Sequence, residues 1–385
     1  MSVRVIHVVD QGTCEDGARQ LSLLLGRLRP ATIHQRVVLI GSPPPGLSIP
    51  PFIEVIRVGQ RWAWFLTTAW DARRAVEGLD ADVFHAWGAS AAAVAALIGT
   101  DAGRVTATLS DPSEARAASR WWWSIGRVRP GNRGRRTELF TVCTSATVQR
   151  RLVEAGIPMF STVVIRPGVD FAAIRQAKAR VTRQELGLPA TGRICLTIPP
   201  PTRRGGHFLA VWAMAMLHVL WPEDRLVLIG RSRERDRLDR LKKCLYCPEM
   251  LIGWEGDVAP ADALSACDLL LAPATGDVAT GWLAWAMAAS VPIVASAVPA
   301  IAELIADRHN GFLCRPGEVR ALALRIRSAW ESPEALRQCA RTAHGQAYDV
   351  FRAEVSAAQY ERLFQNLAAG CDPADGVRDA ALDTG

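Results

Sequence analysis

Residues 269–296 read LLLAPATGDVATGWLAWAMAASVPIVAS, and the fold turns on how this stretch is divided. The run DLLLAP (268–273) is short, apolar and closed by a proline, which suits a strand buried on both faces. A loop carrying Gly276 and Asp277 follows, and from about Gly281 the pattern lengthens into a helix. VPIVAS (291–296) is a second β-branched strand. Although Trp282 to Ala306 is long enough to suggest a membrane span, Pro292 and Pro299 cut it into helix, strand and helix lengths. Strand, helix and strand in this order is the repeating unit of a parallel sheet, because parallel neighbours need a crossover long enough to hold a helix.

The alternation continues in both directions. RICLTI (193–198), RLVLIG (225–230) and MLIGW (250–254) precede it as strands of the same series. An earlier series runs VRVIHVV (3–9), RVVLI (36–40), FIEVIRV (52–58), DVFHAW (82–87), RVTATL (104–109), LFTVCT (139–144) and TVVIRP (162–167), with helices at Gln20–Arg29 and near Asp71–Glu77. Two doubly wound α/β domains in tandem are therefore expected, facing a cleft: 1–168, then 169–350. Beyond Pro316 the pattern is helical, and VSAAQYERLFQNLA (355–368) is amphipathic, so a helix over 351–369 is expected to pack across both domains.

Size agrees with this division, since 385 residues exceed what one ordinary core covers. With 49% hydrophobic and 22% charged residues the chain is globular, which leaves only the Asp/Ala/Gly-rich stretch 370–385 for disorder. The net charge of +7 rests on Arg, with Lys only at 178, 242 and 243, and it favours phosphorylated donors or an acidic membrane face. No nucleic-acid module accompanies it, so no such partner is expected. Nine scattered cysteines speak against a disulfide framework and for a reducing, cytoplasmic setting. Cys244 and Cys247 form one CxxC without the two further ligands zinc needs, and no HxH or HExxH appears, so neither metal nor cofactor is expected. Val3–Val9 is apolar, but Asp10 ends it too soon for a signal-peptide core.

In open parallel sheets ligands bind beyond the carboxyl ends of the strands, so the loops there carry the functional reading. In DQGTCEDGAR (10–19), Gly12 permits a tight turn and Thr13 stands at a helix start, as an anion-facing loop or a plain turn. In IPPPTRRGGHF (198–208), Arg203 and Arg204 precede Gly205 and Gly206 where a helix opens. Two guanidiniums at the positive end of a helix suit a diphosphate, and a solvated turn is the plainer alternative. Asp277, Thr280 and Gly281 form a further cradle, while Trp282 and Trp285, three apart on one helix, fit core packing or ligand stacking.

Taken together, IRPGVD (165–170), RRGGHFLAVWAMAML (203–217), RLVLIGRSRERDRL (225–238), LIGWEGDVAPADALSACDLLLAPA (251–274), GWLAWAMAASVPIVAS (281–296) and IAELIADRHNGFLCRPGEVRALA (301–323) resemble the donor half of a GT-B fold glycosyltransferase of family 4. GTCEDGARQLSLLLGRL (12–28), DADVFHAWGAS (80–90) and CTSATVQRRLVEAGI (143–157) fit the first half more loosely. The resemblance implies retaining transfer of a sugar from a nucleoside-diphosphate donor held by the second domain. The acceptor, a glycan, lipid-linked or small-molecule hydroxyl compound, is held by the first. It also implies a donor set of Arg203, Arg204, Gly205, Gly230, Arg231, Asp277, Thr280, Gly281, Trp282 and Trp285, an acceptor set of Gly12, Thr13, His85 and Ser110, and Asp111 and Asp277 as catalytic carboxylates. Fixed cations lower the barrier by meeting the charge that develops on the leaving phosphate.

Several of the family's positions are altered here. Its Arg falls at or near Pro199, its Lys is Arg204, the first acid of its E-x7-E pair is Asp277, the second is Trp285, and its histidine after the fifth strand is Ser110. Indole only donates, so Trp285 cannot accept from a ribose hydroxyl, a loss of about 1–3 kcal/mol. A catalytically silent relative that binds nucleotide sugars or acts as a scaffold is the competing expectation. Asp111 alternatively caps the following helix, and His85 alternatively is a satisfied core histidine. RAASRWWWSIGRVRPGNRGRR (116–136) joins three Trp to many Arg, as either a peripheral contact with an anionic membrane at the inner face or a surface loop covering core.

Overall fold

The computed structural model describes residues 2–59, 65–98, 104–119, 138–198, 200–230, 232–254 and 258–377. Pro199, Arg231 and the Trp121–Trp123 segment lie outside the described residues, as does 378–385. The chain divides into two units, Met1–Gly168 with Ala353–Gly385, and Val169–Arg352.

The β-branched runs of the first unit pair as seven parallel strands: β1 (Val3–Asp10), β2 (Ile33–Ile40), β3 (Glu54–Val58), β4 (Val83–Trp87), β5 (Arg104–Leu109), β6 (Glu138–Cys143) and β7 (Thr162–Val164). Their order across the sheet is β3-β2-β1-β4-β5-β6-β7. The order reverses between β1 and β4, where Val5 stands opposite Val83 and His7 opposite His85. Side chains of β1 alternate between two cores, as period-two geometry requires. Val5 and Val9 pack with Leu21, Leu24 and Leu25 of the helix Glu15–Arg27, while Ile6 and Val8 pack with Ala91 and Ala95 of the helix Ala89–Ile98.

The second unit repeats the plan with six parallel strands: β8 (Ile194–Thr197), β9 (Arg225–Ile229), β10 (Leu251–Trp254), β11 (Leu269–Ala272), β12 (Ile293–Ser296) and β13 (Phe312–Cys314), ordered β10-β9-β8-β11-β12-β13. Its order reverses between β8 and β11. The helix His207–His218 follows β8, and the helix Gly281–Ala288 follows β11. Three-residue β13 is absent from the sequence reading, since GFLC is too short to show a period.

The carboxyl-terminal helix Ala353–Ala369 belongs with the first unit, although it follows the second in sequence. Tyr360, Leu363, Phe364 and Leu367 enter the core beside Trp87 and Leu21. Residues 370–377 differ from the expected disorder. Ala374 and Val377 are buried in that same core, and Asn366 Nδ2 donates to the Asp375 carbonyl at 2.9 Å. Composition misjudged this stretch because two small apolar residues suffice to anchor it. No helix among the described residues is long and apolar enough to cross a membrane.

Candidate functional site

The reversal between β8 and β11 makes a crevice at the carboxyl ends of these strands, and three loops meet there. After β8 the chain turns through Thr202–Gly206 into the helix His207–His218. Gly206 holds φ at 68°, and a Cβ there would overlap the Pro273 carbonyl, so only glycine allows the turn to lie against the β11 loop. The Thr275 amide donates to the Arg204 carbonyl at 2.8 Å, which fixes the two loops together. Ser232, the cap of the helix Arg233–Lys242, donates from its hydroxyl to the Pro201 carbonyl at 2.5 Å and so joins the β9 loop. His207 braces the turn from beneath: its Nε2 donates to the Ile198 carbonyl at 2.8 Å and its Nδ1 accepts from the Thr202 amide at 3.4 Å. Burial lowers its pKa and keeps the ring neutral.

The side chains of Arg203 and Arg204 are exposed, and neither is bonded to another described residue. Two fixed-charge forks therefore stand beside a turn whose backbone is pinned from three sides, at the start of a twelve-residue helix. Gly205 and Gly230 lie in the same loop cluster; Gly230 sits at φ 88° against Pro200.

Across the crevice, Asp277 is half-buried and its Oδ1 accepts from the Ala300 amide at 3.2 Å. This carboxylate thus ties the β11 loop to the short helix Pro299–Ala302. Thr280 is buried at the cap position of the helix Gly281–Ala288 without using its side chain as a cap, and Gly281 opens the helix. Trp282 is a correction to the expected donor set. It is 1% exposed and packs among Leu283, Met287 and the sheet, so its ring is core and cannot stack on a ligand. Trp285 is half-buried and packs against the same core.

In the first unit the corresponding reversal gathers the loops after β1, β4 and β5. Gly12 is exposed in the turn, its amide donating to Asp10 Oδ1 at 3.0 Å. Thr13 corrects a second expectation. Its hydroxyl donates to the Trp87 carbonyl at 2.8 Å and accepts from the Asp10 amide at 3.2 Å, so it locks β1 to β4 rather than facing a ligand. His85 is the third correction. It sits mid-strand, fully buried, its ring 5.7 Å from Tyr360 and 5.2 Å from Phe364, with Nε2 3.0 Å from the Thr108 hydroxyl. The strand runs on to Trp87, so position 85 faces the core, not the strand's end. Asp111 does cap the turn Pro112–Glu114, accepting from the Ser113 amide at 2.7 Å. Ser110 is buried, and its hydroxyl finds no partner among the described residues.

Sequence reasoning passed over Glu114 and His207. Asp-Pro-Ser-Glu (111–114) has the spacing of a helix start with a returning carboxylate, and a His opening a helix after Gly-Gly was the other available signal. Burial, with Asp111 adding to it, raises the Glu114 carboxyl to about 7. Among the described residues no group of three His, Cys, Asp or Glu is placed to hold a metal.

Two all-parallel Rossmann-like units, each with its loops gathered where the strand order reverses, define the GT-B fold. Within that fold, residues 179–346 match the model of the Glycosyl transferases group 1 and residues 21–173 that of the Glycosyltransferase Family 4. It is similar to the N-acetyl-alpha-D-glucosaminyl L-malate synthase of Bacillus anthracis, with 28% identity over 147 residues. That match covers 38% of this chain and 38% of that relative's length. Among solved structures, HepE of Anabaena in complex with UDP superposes with a TM-score of 0.71 at 20% identity, covering 95% of this chain and 100% of that one. Sucrose-phosphate synthase of Thermosynechococcus elongatus gives 0.71 at 19% identity, covering 95% and 100%. At such identities the likeness establishes the fold.

Proposed function

We propose that the protein transfers a sugar, with retention of anomeric configuration, from a nucleoside-diphosphate sugar to an acceptor hydroxyl. The observation that carries this reading is the pair Arg203 and Arg204, exposed and uncommitted on a turn pinned by Gly206, His207 and Thr275. Backbone fixed in this way needs no reorganisation when charge appears on the leaving group. The acceptor oxygen bonds to the anomeric carbon as the bond from that carbon to the diphosphate oxygen breaks, and the acceptor proton passes to the departing diphosphate. Both guanidiniums meet the growing charge, while the Thr280–Gly281 backbone and Asp277 orient sugar and phosphate. Uridine is the base to test first, because HepE, the structural neighbour, was solved with UDP.

One observation favours a binding-only reading: Trp285 packs against the core, and its indole only donates, so nothing at that position replaces the ribose-holding carboxylate. The experiment that separates the two is titration calorimetry with UDP, followed by UDP release and product mass from UDP-sugars with an acceptor panel. Binding with turnover, lost together in Arg204→Ala, supports the transferase. Binding without turnover on any donor supports the silent form, and absence of binding to UDP, GDP and ADP contradicts both. The segment 116–136 remains our candidate for contact with an anionic membrane; sedimentation with acidic liposomes, with and without Trp121–Trp123 replaced, tests it.

A further inference from the structure

The helix His207–His218 has an outward face that the described residues leave uncovered. Its sequence, HFLAVWAMAMLH, holds no Asp, Glu, Lys or Arg, a composition that suits a helix buried on all sides. The helix Gly281–Ala288 is also uncharged, and there every residue is buried except half-buried Trp285. His207–His218 is different. Its inner face enters the second unit's core through Ala210, Val211, Met214 and Leu217. On the outer face, Trp212 and Met216 lie one turn apart, and Val219 and Leu220 continue the stripe just past the helix end. Tyr246 flanks them: its hydroxyl donates to the Ala215 carbonyl, and its ring stands 6.3 Å from that of His218. Trp212, Met216, Val219, Leu220 and Tyr246 are each 46–77% exposed.

Together these five side chains offer on the order of 600 Å², the upper end of what a monomer leaves open. A stable protein contact covers about 800 Å² on each partner, with an apolar centre inside a polar rim, so the stripe is large enough to be such a centre. Trp, Tyr and Met are also the residue types that concentrate there. The rim narrows the choice of occupant. Glu249, paired with His218 at 3.3 Å, and exposed Glu223 in the turn after Leu220 are acidic, while Lys242 and Lys243, one turn before Tyr246, are basic. A rim of one sign would repel its own image, whereas a mixed rim can pair with it. An anionic bilayer would meet Glu223 and Glu249 with repulsion. Tyr246 also turns its hydroxyl inward, whereas a tyrosine at a headgroup layer keeps that end wet.

We propose that this face is the contact between two copies of the chain, related by a two-fold axis, with Trp212 and Met216 as its anchors.

Analytical ultracentrifugation of the full chain across micromolar concentrations tests it. A species of twice the 41.8 kDa chain mass is expected. The double change Trp212→Glu with Met216→Glu should weaken association at least ~100-fold, because each contact holds two copies of both residues. Val219→Lys, at the most exposed position of the stripe, should weaken it too and serves where circular dichroism shows the double variant misfolded. Phe160→Glu, at an exposed apolar position of the first unit, should leave the dimer intact. A monomer at every concentration, or a dimer that survives the changes at 212, 216 and 219, overturns the proposal. So does a monomer that sediments with phosphatidylglycerol vesicles and loses that binding in the double variant, since the face would then belong to a membrane.

Discussion

Arg204 and Asp277 carry formal charge at the second unit's strand reversal, but they differ in how they are held. Arg204 contributes only its backbone carbonyl to the scaffold, through Thr275, and leaves its guanidinium uncommitted. Replacement by alanine should therefore leave the melting temperature unchanged and weaken UDP by at least ~10-fold, the value of one charge-assisted hydrogen bond, in titration calorimetry. Asp277 also fastens a loop, so the informative change is Asp277→Asn. It keeps an acceptor for the Ala300 amide while removing the charge, and should preserve thermal stability yet lower turnover about tenfold or more. Gly206→Ala is the opposite case. With positive φ and the Pro273 carbonyl in the way, it should cost at least ~2 kcal/mol in chemical denaturation and weaken UDP as well. The turn that carries Arg203 and Arg204 was legible in the sequence because glycine declares its backbone. The roles of Trp282, Thr13 and His85 were not, since a residue type does not say which face of an element it occupies or whether its hydrogen bonds are already filled.

Between β1, β4 and the carboxyl-terminal helix lies a buried polar layer. Trp87 Nε1 donates to His7 Nδ1 at 3.3 Å, His7 Nε2 lies 3.2 Å from Gln35 Oε1, and Thr108 Oγ1 lies 2.8 Å from the Tyr360 hydroxyl. Burial lowers His7 to about 4 and holds His85 well below its usual 6.5. An unfolded chain protonates His7 below about 6.5 while the folded one refuses the proton until about 4, so its contribution is full above 6.5 and is lost as pH falls through that window, and His85 acts in the same direction. Glu114 acts in the opposite direction: its carboxyl, raised from 4.5 to about 7, keeps its proton in the fold, so stability declines as pH rises between those values. The His7 and Glu114 shifts are each worth about 3 kcal/mol at the far end of their windows and offset one another, which leaves the His85 contribution unbalanced. Hydrogen-exchange protection of β4 should thus rise from pH 5 to 6.5 in the wild type, vary less in His7→Gln, and rise more steeply in Glu114→Gln. Parallel slopes in all three proteins would contradict the assignment. Strands and helices themselves were readable because β-branched runs and prolines punctuate them. The polar layer was not, because His7 and His85 meet only through the β1–β4 register.

Across the whole molecule, two sheets repeat one plan, and the chain's last helix returns to complete the first of them. Tyr360 and Phe364 each bury a ring worth about 1.5–3 kcal/mol in that core. Phe364→Ala should therefore destabilise the first unit by about 3–5 kcal/mol, seen as lost exchange protection in β1 and β4 with β8 and β11 unaffected. The tandem arrangement was legible from alternating strands and helices, whereas the ownership of 353–377 was not, because an amphipathic pattern shows that a helix packs without showing on what. On our reading, the loops after β8 and β11 bind a nucleoside diphosphate through Arg203 and Arg204. Hydrogen exchange with and without UDP tests it most directly. Protection should concentrate in 200–208 and 274–283 and disappear in Arg203→Ala/Arg204→Ala; UDP bound without protecting either loop, or protecting them equally in the double variant, would contradict it.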